Sequence, residues 1–195
     1  MIRGAPRSHR TSPPPVACAP DNPLTWDDTL DRVITHWDGE ADLDRLLAVS
    51  DAADGLFAEH GITLPPDDAT DLLLAAATVL VAGAPPVGFA AIGELDGFAH
   101  LEEICVHPDS GRRGVGSALL AATIADARER GYPALTLTTF RDLPWNAHWY
   151  ARHGFRVLAE RDWGPQLRAQ WQREVAAGIV VAPRVAMIRQ SDPPE

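Results

Sequence analysis

Three apolar runs of β-strand length lie end to end with very short connections. Thr78 to Ala82 is followed by Gly83-Ala84-Pro85-Pro86, then Val87 to Gly93, a turn at Asp96-Gly97, and Phe98 to Val106. Connections this short join antiparallel neighbours, because a parallel return needs a crossover of about a dozen residues or more. The middle of the chain therefore reads as an antiparallel meander. The pattern then changes. After Val106 comes the turn Gly111-Arg112-Arg113-Gly114-Val115-Gly116, and then a predicted helix from about Arg113 to Arg130. Val115, Ala118, Leu119, Ala122 and Ala125 form the apolar stripe of that helix, and Gly131 stops it. The next β-rich run, Ala134 to Thr139, makes strand, helix and strand one parallel crossover.

The remaining elements fit around this unit. Leu30 to Trp37 reads as a first strand, and Ala41 to His60 and Asp67 to Ala76 read as helices. Trp145 to His153 reads as a short helix closed by Gly154, and Phe155 to Glu160 as a strand. Pro165 to Ala176 is a polar helix, and Val180 to Arg189 a closing strand. The expected class is α/β of the α+β type, with a mixed, mostly antiparallel sheet of about six to seven strands flanked by helices. A plain dinucleotide-binding domain would alternate strand and helix from its start. Residues 1–23 hold six prolines and few large apolar groups, so a disordered tail is expected there. A single domain is expected over 24–190 and a frayed end over 191–195.

The chain has 195 residues, a net charge of −10 and a pI near 5.1. That balance speaks against nucleic acid, whose phosphates call for a basic patch. It would suit a cationic substrate, although acidic surfaces mostly serve solubility. Cys18 and Cys105 stand far apart with no CxxC partner, so neither a metal cofactor nor a structural disulfide is expected. No apolar stretch is long enough to span a membrane. The basic N-terminus has no apolar segment behind it, and a cytoplasmic protein is expected.

The strand–turn–helix from Leu101 to Ala121 is the main chemical feature. A helix start has unpaired amides and a partial positive charge, and it binds anions. Glycines at 111, 114 and 116 bring backbone close to a diphosphate, and Arg112 and Arg113 add donors. No Lys-Ser or Lys-Thr follows Gly116, so this is not a Walker A loop. The bland reading is an ordinary connection. A second feature is Trp149-Tyr150-Ala151-Arg152-His153-Gly154-Phe155. There Tyr150 either aims its hydroxyl at a site beside the turn or simply packs on the sheet.

Taken together the two segments resemble the GNAT acetyltransferase superfamily. Ile104-Cys105-Val106-His107-Pro108 and the turn after it are similar to the family's Arg/Gln-x-x-Gly-x-Gly/Ala segment. The Tyr150 segment is similar to its Leu-Tyr-x-x-x-Gly-Phe. The two stand about 34 residues apart, from Gly116 to Tyr150. Gly111 occupies the family's leading Arg/Gln position, with Arg112 one residue later as a substitute donor. The resemblance implies that strands four and five splay and that acetyl-CoA lies in the gap. Backbone of Ile104, Cys105 and Val106 would pair with its arm. Amides of Arg112, Arg113, Gly114, Val115, Gly116 and Ser117 would hold its pyrophosphate, and Asn146 would either touch the cofactor or cap its helix. An amine attacks the thioester directly, and Tyr150 protonates the leaving thiolate. The resemblance also allows a homodimer. A chain that kept the turn and lost the acid would instead be a non-catalytic acyl-CoA-binding module.

An alkylammonium must lose a proton before it attacks, so a base is needed. On a regular strand 100, 102, 104 and 106 share one face and 103 the other. That places Glu102 and His100 as candidates and assigns Glu103 a structural role. Cys105 has no histidine partner and reads as a packed thiol. The acceptor, a small-molecule amine, would be bounded by the first two helices, the loop after Phe140 and residues 161–180. Asp51, Asp54 and Glu59 would either recognise a cation there or form the solvated side of their helix, the reading favoured from sequence.

Overall fold

The structure, a computed structural model, describes residues 33–66 and 69–191. The expected tail, the first residues of the first strand and the last four residues lie outside the described residues. Among the described residues five helices and seven strands follow in the expected order. They are β1 (Ile34–His36), α1 (Leu43–Ala58), α2 (Ala69–Ala75), β2 (Thr78–Ala82), β3 (Gly88–Leu95), β4 (Phe98–Val106), α3 (Val115–Glu129), β5 (Ala134–Phe140), α4 (Ala147–Arg152), β6 (Arg156–Val157), α5 (Pro165–Ala176) and β7 (Arg184–Gln190). The strands form one sheet in the order β1-β2-β3-β4-β5-β7-β6. Only β4 and β5 run parallel, and all other neighbours are antiparallel.

The short connections act as expected. Asp96 and Gly97 both take positive φ, 54° and 76°, which matches the twist of a tight hairpin. Asp96 also does work at a distance. Its two carboxylate oxygens accept the Gln166 and Leu167 amides at 2.9 Å each, so a β-turn residue satisfies the amides that open α5. The predicted strand Phe155 to Glu160 is correct only in part. Its ladder covers Arg156 and Val157, and the chain turns into a 3-10 turn at Glu160–Asp162.

Each face of the sheet has its own core. Leu119 and Leu120 of α3 pack with Leu80, Ala90, Ile92 and Leu101 on one side. Leu46 and Val49 of α1 and Leu73 of α2 pack with Val81, Phe89 and Cys105 on the other. This sandwich fixes β4, which carries most of the site.

β4 is not regular. Ala91 pairs with Glu103 and Ile92 with Leu101, so Glu102 is an extra residue, a β-bulge. The bulge reverses the alternation of the strand. Leu101 and Ile104 pack on the α3 side, and Glu103 and Cys105 lie on the α1 side. The expectation that 100, 102, 104 and 106 share a face is therefore corrected.

His100 is 1% exposed and lies against β5. The Thr136 hydroxyl donates to the Ala99 carbonyl at 3.2 Å, so His100 Nδ1–H must donate to Thr136 Oγ1, at 2.9 Å. Burial, with the Arg173 charge adding to it, pushes the His100 pKa down to about 4. Between that value and the unfolded value near 6.5, the unfolded chain binds more protons, so stability falls with acid. The effect is absent above pH 6.5 and complete below about pH 4, and amounts to roughly 3 kcal/mol. Urea unfolding at pH 7 and 4.5 checks it. His100→Gln should lose about 2.5 kcal/mol less than the parent on acidification. Equal losses would exclude His100 as the group responsible.

Candidate functional site

Parallel pairing of β4 and β5 stops after three residue pairs, the last being Leu101 with Leu137. Beyond this point β4 continues to Val106 paired only with β3, and β5 continues to Phe140 paired only with β7. The inner edges of both strands therefore face an opening without a ladder between them. A cleft of about 630 Å³ lies there, lined by β4, the end of β5, α1, α5 and the start of α4.

Tyr150 enters the cleft from α4. Its ring packs against Trp149 at 4.9 Å and Phe155 at 5.6 Å, both edge-on. Burial raises the phenol well above its ordinary pKa, and the neighbouring Cys105 adds to the shift. The group is thus fully protonated at neutral pH. Glu102 also lines the cleft and is open to water there. Its carboxylate lies over Gly93, where any side chain would collide with it. Desolvation raises its pKa, the Arg173 charge opposes this, and the Glu174 charge adds to it. Glu103, assigned a structural role from sequence, stands in the same lining. Its Oε1 accepts the Ser50 hydroxyl and the Cys105 thiol, each at 2.8 Å.

His100 is not among the residues that line the cleft. The bulge and the bond to Thr136 hold it in the sheet, so the structure removes it as the group that meets an acceptor. Cys105 lines the cleft, but burial and the Glu103 charge raise its thiol far above the ordinary range. It is a packed thiol and not a nucleophile.

Asn146 occupies the N-cap position of α4 without making a side-chain cap. Its Nδ2 instead donates to Thr139 Oγ1 of β5 at 2.7 Å, and its Oδ1 is buried without a donor. That orphan acceptor lies in the cleft lining. Ile104 lines the cleft, and Val106 packs on the α3 side beside it.

The glycine-rich turn sits outside the cleft lining, next to the end of β4. Gly111 is extended, Arg112 has φ 59°, and Gly114, the N-cap of α3, has φ 85°. The side of Gly116 faces Val106 and Trp149. Val115, Gly116 and Ser117 carry the amides that open α3, and Ala118 is the first to find a helical acceptor, Gly114. Gly114 alone of the three glycines needs its positive φ. Gly114→Val should therefore cost about 1–2 kcal/mol of stability and weaken CoA binding by about tenfold or more, equal to about 1.4 kcal/mol. Unchanged affinity in a calorimetric titration would place the pyrophosphate elsewhere.

Residues 54–155 match the model of the acetyltransferase (GNAT) family. The chain belongs to this family. The matched stretch holds the bulge, the turn and Tyr150. An amino-acid acetyltransferase of Shewanella oneidensis is 40% identical over 67 residues, which are 34% of this chain and 14% of that protein. A GNAT-family acetyltransferase from Staphylococcus aureus Mu50 shares the fold, with a TM-score of 0.62 and 16% identity over 82% of this chain and 99% of that one. N-acetylglutamate synthase of Neisseria gonorrhoeae, solved with coenzyme A and N-acetyl-glutamate, has a TM-score of 0.60 and 17% identity. That match covers 82% of this chain and 35% of the synthase. The chain thus spans about a seventh of the Shewanella relative and about a third of the Neisseria one.

Some lining residues carry no motif. Thr138, Gln170, Glu174 and Arg184 meet in the cleft from β5, α5 and β7. The Glu-Glu pair at 102 and 103 breaks the apolar alternation of β4, and it was the one legible sign of the bulge.

Proposed function

We propose that this acetyltransferase transfers an acetyl group from acetyl-CoA to a primary amine of a small molecule by direct attack. The observation that carries this reading is the opening between β4 and β5 with Tyr150 and Glu102 both in its lining. An extended thioester arm matches the unpaired edge of Ile104, Cys105 and Val106, and the orphan Asn146 Oδ1 supplies an acceptor nearby. Amides from Arg112 to Ser117 would meet the pyrophosphate at the start of α3, where the helix dipole favours negative charge.

The chemistry assigns each group one step. Glu102, through a water molecule, takes a proton from the ammonium and leaves a nitrogen lone pair. The amine nitrogen bonds to the thioester carbonyl carbon, gives its second excess proton to water, and the C–S bond breaks. Tyr150 gives its phenolic proton to the departing sulfur and regains one from solvent. The products are an amide and free CoA. A carboxylate with a raised pKa is closer to neutrality, where base catalysis works best.

A thermal shift with acetyl-CoA, CoA and ATP tests the cofactor, and a thiol-release assay with amines tests the reaction. At about 100 times its dissociation constant a bound ligand adds about 2.7 kcal/mol. Both CoA ligands should raise Tm, and ATP should not. Thiol release should require an amine, with the acetyl group found on nitrogen by mass spectrometry. Thiol release independent of added amine would overturn the acceptor assignment.

A further inference from the structure

The polar helix α5 is held to the sheet at few points. Of its 12 residues only Leu167 and Glu174 are buried. Leu167, Gln170 and Glu174 follow helical spacing and share one face. Gln170 and Glu174 line the cleft together with Glu102. The helix is thus a wall of the cleft, and a wall with little apolar surface needs other means to keep its place.

One anchor is Glu174, bound by the Thr138 hydroxyl and paired with Arg184. The other grips the start of the helix and comes from the turn between β3 and β4. Leu167 packs with Leu95 and Phe98, the residues on either side of that turn. Between them Asp96 accepts the Gln166 and Leu167 amides, and Gln166 Oε1 accepts the Asp96 amide in return. This is the reciprocity of a capping box, with its two halves 70 residues apart in the chain. Gly164 admits the contact, since any side chain there would collide with the Asp96 carboxylate. From Leu167 to Glu174 the helix rises about 10 Å. Within that span Arg173 donates to Gln170 Oε1 at 2.5 Å, and Gln170 Nε2 stands 3.4 Å from Glu174 Oε1. The charges of Arg173 and Glu174 act on Glu102, and that of Arg173 on His100 as well.

We propose that Asp96, which lies outside the cleft lining, is a positioning residue for acyl transfer: by clamping the start of α5 it sets where Gln170 and Glu174 stand beside Glu102. This rests on the acyltransferase reading above, in which Glu102 meets the acceptor. The other charged groups that share the cleft with Glu102 are Asp51 and Asp54 from α1, Glu103 from its own strand and Arg184 from β7, while β3 presents Gly93 to it. Tyr150 and Cys105 keep their protons at neutral pH, and His100 is neutral there. None of these is carried by α5, so Arg173 and Glu174 are the charges that move with it. Burial is the largest influence raising the Glu102 pKa, and the two α5 charges oppose each other. A loosened α5 admits water, so the Glu102 pKa should fall toward that of an ordinary carboxylate.

The test is a carbon NMR titration of the Glu102 carboxyl in the CoA-loaded full chain, with hydrogen exchange of the Gln166 and Leu167 amides alongside. The variants are Asp96→Gly, Asp96→Asn and Gln166→Ala. Position 96 has φ 54°, which glycine adopts freely, so Asp96→Gly spares the hairpin and removes the clamp. Asparagine tolerates the same torsion and keeps a carbonyl for the amides. In Asp96→Gly the two amides should exchange about fivefold faster, the effect of losing a helix cap, and the Glu102 pKa should fall. Gln166→Ala should lower it less, and Asp96→Asn should lie between Asp96→Gly and the parent. Faster exchange with an unmoved or raised Glu102 pKa overturns the proposal, because Asp96 is then a structural cap alone. Unchanged exchange overturns it too, because the clamp then holds nothing. Should Asp96→Gly not fold, Gln166→Ala decides by the same two readings. A protein that does not take up CoA fails the acyltransferase reading by itself, and the same titration without CoA then decides the clamp separately.

Discussion

Tyr150→Phe should lower kcat by tens-fold to about 10²-fold, the range in which a positioned proton donor contributes. The CoA dissociation constant should stay within about twofold, since only a hydroxyl is removed and a tenfold change would need about 1.4 kcal/mol. The ring contacts with Trp149 and Phe155 do not involve the oxygen, so Phe keeps the packing of α4. Burial holds the proton on the phenol until a thiolate leaves. Single-turnover kinetics with acetyl-CoA, alongside equilibrium titration of CoA, separates the two quantities. Equal turnover in both proteins would take Tyr150 out of the mechanism, and a parallel loss of CoA affinity would make its role structural.

Glu174→Ala should cost about 3–5 kcal/mol, because it strands the Arg184 charge in the interior. Both side chains are less than a tenth exposed, and the oxygen–nitrogen distance is 3.1 Å. Thr138 ties the pair to β5, donating to Glu174 Oε1 at 2.5 Å and standing 3.1 Å from the Arg184 guanidinium. Replacing both charges, as Glu174→Ala with Arg184→Met, should recover most of the loss, since no buried charge then remains alone. Urea unfolding of the two single variants and the double completes the cycle. A double variant no more stable than Glu174→Ala would show that the pair is not coupled.

The order of elements was legible because each signal was local. The hairpin residues, the strand between Phe98 and Val106 and the stop at Gly131 depend on neighbours in the chain. The site was legible in part. Tyr150, Glu102 and Asn146 all line the cleft. His100 was misplaced because a bulge resets the phase of a strand, and no periodicity argument survives an inserted residue. Glu103 was set aside because it points away from Ile104, and it does, but the α1 side of the strand also lines the cleft. Asp51 and Glu59 are solvent-exposed on their helix, as the favoured reading had it, while Asp51 and Asp54 also line the cleft, because a helix does not announce what stands opposite it. Thr138, Glu174 and Arg184 come from three elements, joined only by the β5–β7 pairing and the packing of α5. Nothing in the sequence between them marks the encounter.

The parting of β4 from β5 has a consequence for handling the protein. It leaves two rows of main-chain groups inside the sheet with the character of sheet edges, ready to accept any strand of matching spacing. A thioester arm that pairs along β4 would act as a substitute strand and close that edge. The empty protein should therefore self-associate more readily than the loaded one, most of all in concentrated stocks. Light scattering with and without CoA would read the difference as a shelf-life.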